Sequence, residues 1–192
     1  MLDLPEGYIE KERLELVNDG VLMRKLVIIS LAVFIGTVVS GLIIAPFRVE
    51  ITSHIPMPGT ILIFLLVYMV FVLIHELIHG IFMKLFTGAK VKYGFNLTYA
   101  YAGSDAYFTK YQHIIVGLAP VVIIGVFLLL LSIFMPKEWF WDIHILQIVN
   151  LFSAGGDFFM ANHIRKQPAD VLVKDDGPSM SIYVKEEYGA KN

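Results

Sequence analysis

Residues 75 to 80 read His75-Glu76-Leu77-Ile78-His79-Gly80, inside a long apolar run. On a helix, side chains four apart share one face, so both imidazoles can hold one zinc ion. The glutamate beside the first histidine can take a proton from the water that such an ion activates. Ionisable groups are costly inside a membrane helix, so three of them within five residues suggest a site rather than packing. The bland alternative is a polar cluster that glues helices together.

Composition fixes the setting. Of 192 residues, 57% are hydrophobic and only 17% charged, the profile of a polytopic membrane protein. A formal net charge of −2 gives no reason to expect a nucleic-acid partner. The chain has no cysteine, so disulfides and thiolate metal sites are excluded and any metal must be held by His, Asp or Glu. The first residues lack a basic stretch leading straight into an apolar one, so the first apolar run is expected to be a retained anchor rather than a signal peptide.

Four hydrophobic spans are expected, at about 26–45, 60–86, 114–134 and 139–163. Each reaches the roughly 20 residues needed to cross a hydrocarbon core. The expected fold is therefore all-α and polytopic, a single integral-membrane domain over 1–192. It divides into a cytoplasmic segment at 1–25, a four-span core at 26–164 and a cytoplasmic tail at 165–192. Thirteen of the 15 basic residues fall before span one, around the loop between spans two and three, or after span four; only Arg48 and Lys137 fall on the other side. The positive-inside rule then puts both termini and the middle loop in the cytoplasm, with the chain in the cell membrane. Trp139 and Trp141 would mark the outer interface. In span one Ala32, Gly36 and Ser40 form a stripe of small residues suited to helix packing.

Zinc needs a third protein ligand and an open position for water. Depth selects it. His79 lies seven residues before the cytoplasmic end of span two, about 10 Å deep, and Asp157 eight residues before Arg165, about 12 Å deep. Asp142 and His144 belong near the outer face; His163 and His113 are read as interfacial side chains near the cytoplasmic surface. Gly155-Gly156, just before Asp157, permits close backbone approach. Asn150 lies near the same helical face as Asp157. It either donates to a substrate carbonyl or a developing oxyanion, or makes an interhelical hydrogen bond.

These residues give the chain a resemblance to the zincin membrane peptidases and, more distantly, to the site-2 protease clan of intramembrane metalloproteases. The resemblance rests on His75-Glu76-x-x-His79 in one span and on Asn150 with Asp157 in a later one. It implies that Asp157 is the third zinc ligand. Two features depart from the site-2 pattern: Phe158 follows Asp157, and no proline separates Asn150 from Asp157.

Between spans two and three, residues 91–101 alternate apolar and polar, a strand pattern. With a turn at Gly103-Ser104-Asp105 and a return over 106–109, they predict a short hairpin at about 90–110, which either receives an extended substrate along its edge or only plugs the bundle. Asn96-Leu97-Thr98 matches a glycosylation acceptor on the side of the membrane where none is used, and is read as chance. A weak strand is expected at 179–184.

The sequence thus predicts a membrane-embedded zinc metallopeptidase with Zn2+ as cofactor. His75, His79 and Asp157 are its ligands, Glu76 its general base, and its expected substrate is a membrane-anchored protein met in the lipid bilayer. The alternative is a membrane protein that binds or transports a metal through the same cluster; a third reading is a silent scaffold for a membrane partner.

Overall fold

The computed structural model of the chain describes residues 1–15, 20–50, 55–95 and 100–186. Strand β1 (Tyr8–Glu15) comes first, then α1 (Gly20–Ile44) and α2 (Met57–Thr87). Three strands follow, β2 (Val91–Phe95), β3 (Ala100–Ser104) and β4 (Tyr107–Thr109). Helix α3 (Lys110–Phe134), a 3-10 turn (Lys137–Trp139), α4 (Phe140–Ser153) and α5 (Gly155–Arg165) lead to β5 (Leu172–Asp175) and β6 (Ser179–Lys185).

Local chemistry sets the helix ends. Helix α2 starts at a proline in its first turn and stops at Gly88, whose φ of 68° suits the left-handed cap and whose N–H donates to the Lys84 carbonyl at 2.8 Å. Helix α3 opens with a capping box. The Gln112 N–H donates to the Thr109 hydroxyl, and the Thr109 N–H donates to Gln112 Oε1.

Helices α1, α2 and α3 are each long and apolar enough to cross a membrane; α4 and α5, bent by 44° at their junction, make a fourth if taken as one span. Leu66, Val70, Leu73 and Leu77 of α2 are exposed, an outer surface with the character of a lipid-facing one. Inside the bundle Phe71, Ile124, Leu128 and Ile143 pack together.

The expectation of an all-α chain needs correction. A four-stranded antiparallel sheet, in the order β1-β6-β5-β4, caps one end of the helices, and β2 pairs with β3 in a second, two-stranded sheet. Met180, Ile182 and Val184 of β6, with Val171 and Val173, form a core with Leu22 of α1 and Met160 and Ile164 of α5. The weak strand expected at 179–184 is present as β6 at the centre of this sheet. Strand β1 lies in the segment 1–25, for which the sequence predicted no regular element. Its apolar alternation is poor, and long-range pairing with β6 makes it a strand.

The hairpin also differs in its turn. Its first strand comes from the start of the alternating stretch and its second runs through the expected turn, with Val91 opposite Ser104 and Phe95 opposite Ala100. The chain after Ser104 leaves for the other sheet, where β4 pairs with β5. Gly103 marks a crossing point: a side chain there would meet the backbone of Asp176 in the β5–β6 turn. Asp105 follows, exposed, its carboxyl held below the usual range by a hydrogen bond and charge from Lys92. The Asn96-Leu97-Thr98 match lies outside the described residues, as does the turn between β2 and β3.

Packing among the helices uses other small residues than the expected stripe. Gly36 has open space beside it, whereas a side chain at Gly41 would meet His144 and Trp141. Trp141 is 3% exposed and donates from Nε1 to the Ala45 carbonyl, so it is packed inside the protein rather than at an interface. His144 Nε2 hydrogen-bonds the Thr37 carbonyl at 2.9 Å, which ties α4 to α1.

Candidate metal centre

Helix α2 carries His75 and His79 one turn apart, and both rings are buried. Their Nε2 atoms lie 3.2 Å from each other. Asp157 reaches them from α5, with Oδ2 3.2 Å from His75 and Oδ1 3.5 Å from His79. Among the described residues these three form the group able to hold a metal, with ligand atoms within 4.8 Å of one another. The residues matched by depth are therefore together in space, although 82 positions separate His75 from Asp157.

Asp157 owes its position to the break in the fourth span. The Ser153 hydroxyl donates back to the Asn150 carbonyl at 3.2 Å, a bond that bends helices, and glycines follow at 155 and 156. Helix α5 starts anew at Gly155 and holds Asp157 in its first turn, where the helix dipole favours a carboxylate. The two glycines differ in use. A side chain at Gly155 would meet Ser30 of α1, whereas Gly156 has open space beside it and lines the cavity.

His79 is oriented by a carbonyl that a proline releases. In a regular helix the Val116 carbonyl would accept from the N–H of residue 120, but residue 120 is proline and has none. The freed oxygen lies 2.9 Å from His79 Nδ1. A carbonyl only accepts, so the proton sits on Nδ1 and the lone pair of Nε2 faces His75 and Asp157. Pro120→Ala restores an N–H that competes for Val116. Helix α3 is expected to fold as before while zinc affinity falls about tenfold or more, the usual effect of losing such an outer partner. Competition with a fluorescent chelator measures it; unchanged affinity would remove the orienting role.

The donor set fits zinc. Two imidazoles and a carboxylate are a zinc set with one position left for water. A tetrahedral ion with bonds of about 2.0–2.1 Å holds its ligand atoms roughly 3.3 Å apart. The two Nε2 atoms are 3.2 Å apart and His75 Nε2 lies 3.2 Å from Asp157 Oδ2, close to that length, while His79 approaches the other carboxylate oxygen at 3.5 Å.

The cluster opens on a cavity of about 380 Å³, also lined by Glu76, Met83, Val116, Met160 and residues 100–102 of β3. Strand β3 lies against α2, so Ala102 and Glu76 line the cavity together. Close contact between hairpin and helix is allowed by Gly80, where a side chain would meet the Tyr93 ring.

Asn150 lies elsewhere. It is fully buried and donates from Nδ2 to the Val121 carbonyl of α3 at 3.0 Å, the interhelical bond that was one of its two readings, and it does not line the cavity. His163 pairs with Glu12 of β1 at 2.9 Å. Asp142 accepts from the Glu50 backbone N–H at 3.0 Å. His113, set aside in the sequence as interfacial, is 4% exposed and lines the cavity.

Apolar helices capped by a small sheet, with two histidines and an aspartate converging beside a glutamate, define a candidate metallopeptidase. Residues 67–172, more than half of the chain, match the family described as "Putative zincin peptidase", and the chain belongs to that family. Membership implies a metallopeptidase and zinc. No curated protein and no solved structure matches the chain.

Proposed function

We propose that the chain is a zinc peptidase embedded in the cell membrane that hydrolyses membrane-anchored or membrane-proximal proteins. The observation that carries this reading is the convergence of His75, His79 and Asp157 beside Glu76, on helices long and apolar enough to lie in a bilayer. When bound, zinc supplies an acidified water and polarises the scissile carbonyl. His75 and His79 hold the ion from α2 and Asp157 from α5. Glu76 takes the proton of the attacking water and hands it to the leaving amine. The likeness to site-2 proteases belongs to this proposal, with Asn150 acting by fastening α4 to α3.

A helical segment cannot be cut while its carbonyls are tied within the helix, so the substrate is locally extended in the cavity. The wall formed by β3 suits such a segment, whose freed backbone groups need partners.

The sheet supports four crossings. Strands β1, β4 and β5 belong to one sheet and so lie on one side of the bilayer. Helices α1 and α2 separate β1 from β4, and α3 separates β4 from the bent pair that leads to β5. Return to the same side requires the bent pair to complete a crossing. The distribution of basic residues makes that side cytoplasmic.

Sealed proteoliposomes containing a membrane-anchored reporter test the reading. Cleavage should stop when zinc is chelated and return when zinc is restored, and tags in the loop near Ser104 and at both termini should share one side. Cleavage that ignores chelation would defeat it. Zinc flux without cleavage would favour metal transport, for which a carboxylate poised as a base has no use.

A further inference from the structure

Four helices surround the cavity: α1 contributes Met23 and Leu26, α2 His75 and Glu76, α3 Val116, and α5 Asp157. Three of the seams between neighbours are packed. Helix α2 lies on α3, α3 on α5, and α5 on α1. The Val116 carbonyl at His79 joins the first pair, and Gly155 makes room for Ser30 in the last. Helix α1 packs otherwise on α4, where His144 bonds the Thr37 carbonyl and the Phe34 and Phe152 rings meet at 6.0 Å. The fourth seam, between α1 and α2, is different. Among the described residues these two helices are not packed on each other, although both line the cavity. Met23, at the edge of this seam, is 40% exposed. Both lips are apolar, with no charged residue from 26 to 44 or from 57 to 74. The cytoplasmic end is covered instead: β3 and the β5–β6 turn both line it, and they touch where Gly103 meets the Asp176 backbone.

We propose that the substrate is cut in an apolar, bilayer-embedded segment, and that this segment enters between α1 and α2, against Met23 and Leu26. The proposal rests on the peptidase reading and chooses the embedded kind of substrate over a membrane-proximal loop delivered from water. An unpacked seam between two spanning helices is a sideways opening to lipid. Unwound backbone lies at membrane depth only where protein or a cavity shields it. A segment that passes from lipid straight into the cavity meets that condition as it unwinds. The lips offer no charge for a soluble, charged peptide to pair with, and their apolar surface matches the side chains of a spanning segment.

Because the chain has no cysteine, a single one can be introduced and labelled alone. Met23→Cys, at the seam, and Leu129→Cys, on the exposed surface of α3, are labelled with a bulky maleimide, loaded with zinc and reconstituted in vesicles. Each is compared with its own unlabelled form. Labelling at 23 should lower cleavage of a reporter cut inside its spanning segment about tenfold or more, the cost of forcing extra volume into a filled path. Labelling at 129 should not. Acetohydroxamate, which reads the metal alone, should bind all four forms equally. A second measurement needs no turnover and decides the matter even if the bulky label disturbs the metal centre. Benzophenone at 23 in the Glu76→Gln chain should cross-link the uncut reporter, and benzophenone at 129 should not. Undiminished cleavage after labelling at 23, or cross-linking no stronger at 23 than at 129, overturns the proposal while the metal site stands. Cleavage of a soluble loop reporter by a chain that leaves the spanning reporter intact overturns it too, and keeps the peptidase reading. If zinc-loaded wild type cleaves neither reporter, the peptidase reading fails, and this proposal with it.

Discussion

Glu76→Gln retains its zinc and loses turnover, by about 10²- to 10⁴-fold, the range for removal of a positioned base. The amide is nearly isosteric with the carboxylate, so the cavity wall that Glu76 helps to form is kept. What it lacks is the basicity to draw a proton from water. Metal content and single-turnover cleavage on the same preparation are the measurements. Wild-type cleavage by the variant would end the mechanism; loss of zinc together with activity would make Glu76 a part of the metal site.

His75→Ala, His79→Ala and Asp157→Ala each release the metal, and His144→Ala keeps it. Apparent zinc binding energies of about 10–16 kcal/mol, shared among four ligands, give roughly 3 kcal/mol for each, about two orders of magnitude in affinity. His144 is the proper control because it is also a histidine on a spanning helix but bonds the Thr37 carbonyl instead. Metal analysis of the four purified variants decides the matter. Retention of zinc by Asp157→Ala alone would point to Glu76 or a water as third ligand, since Glu76 is the other carboxylate beside the two imidazoles.

The parts of this architecture that local pattern encodes were the legible ones. Long apolar runs announce α1, α2 and α3, and the spacing of His75 and His79 announces a shared face. Depth below the membrane surface brought Asp157 to the same level, and the paired glycines marked a place of close backbone approach beside it. The sheet was not legible because its pairings are remote: β1 and β4 acquire partners only from the last strands, and their own alternation is short. His113 was misread for a related reason. Depth was counted from the end of the apolar run, as though water began there. The β4–β5 pairing and the turn at Asp176 and Gly177 cover that end, so a residue at the rim of the helix lies inside the protein. Asn150 kept both of its readings in the sequence because helical spacing gives a face without saying which neighbour it meets; the Val121 carbonyl supplies that neighbour.

The sheet also imposes an order of assembly. Glu10 in β1 and Tyr183 in β6 touch across 173 positions of sequence. At about 5–20 residues per second, ribosomal synthesis leaves β1 waiting some ten seconds or more before its partner emerges. Its Glu10, Lys11, Glu12, Arg13 and Glu15 are the kind of charged edge that resists wrong partners during such a wait. Asp175 and Gly177, on the rim of the cavity, take their places only when β6 closes beside β5. The nascent chain therefore carries its histidines and glutamate through translation with the cavity unfinished, until β6 completes the wall that a substrate would meet.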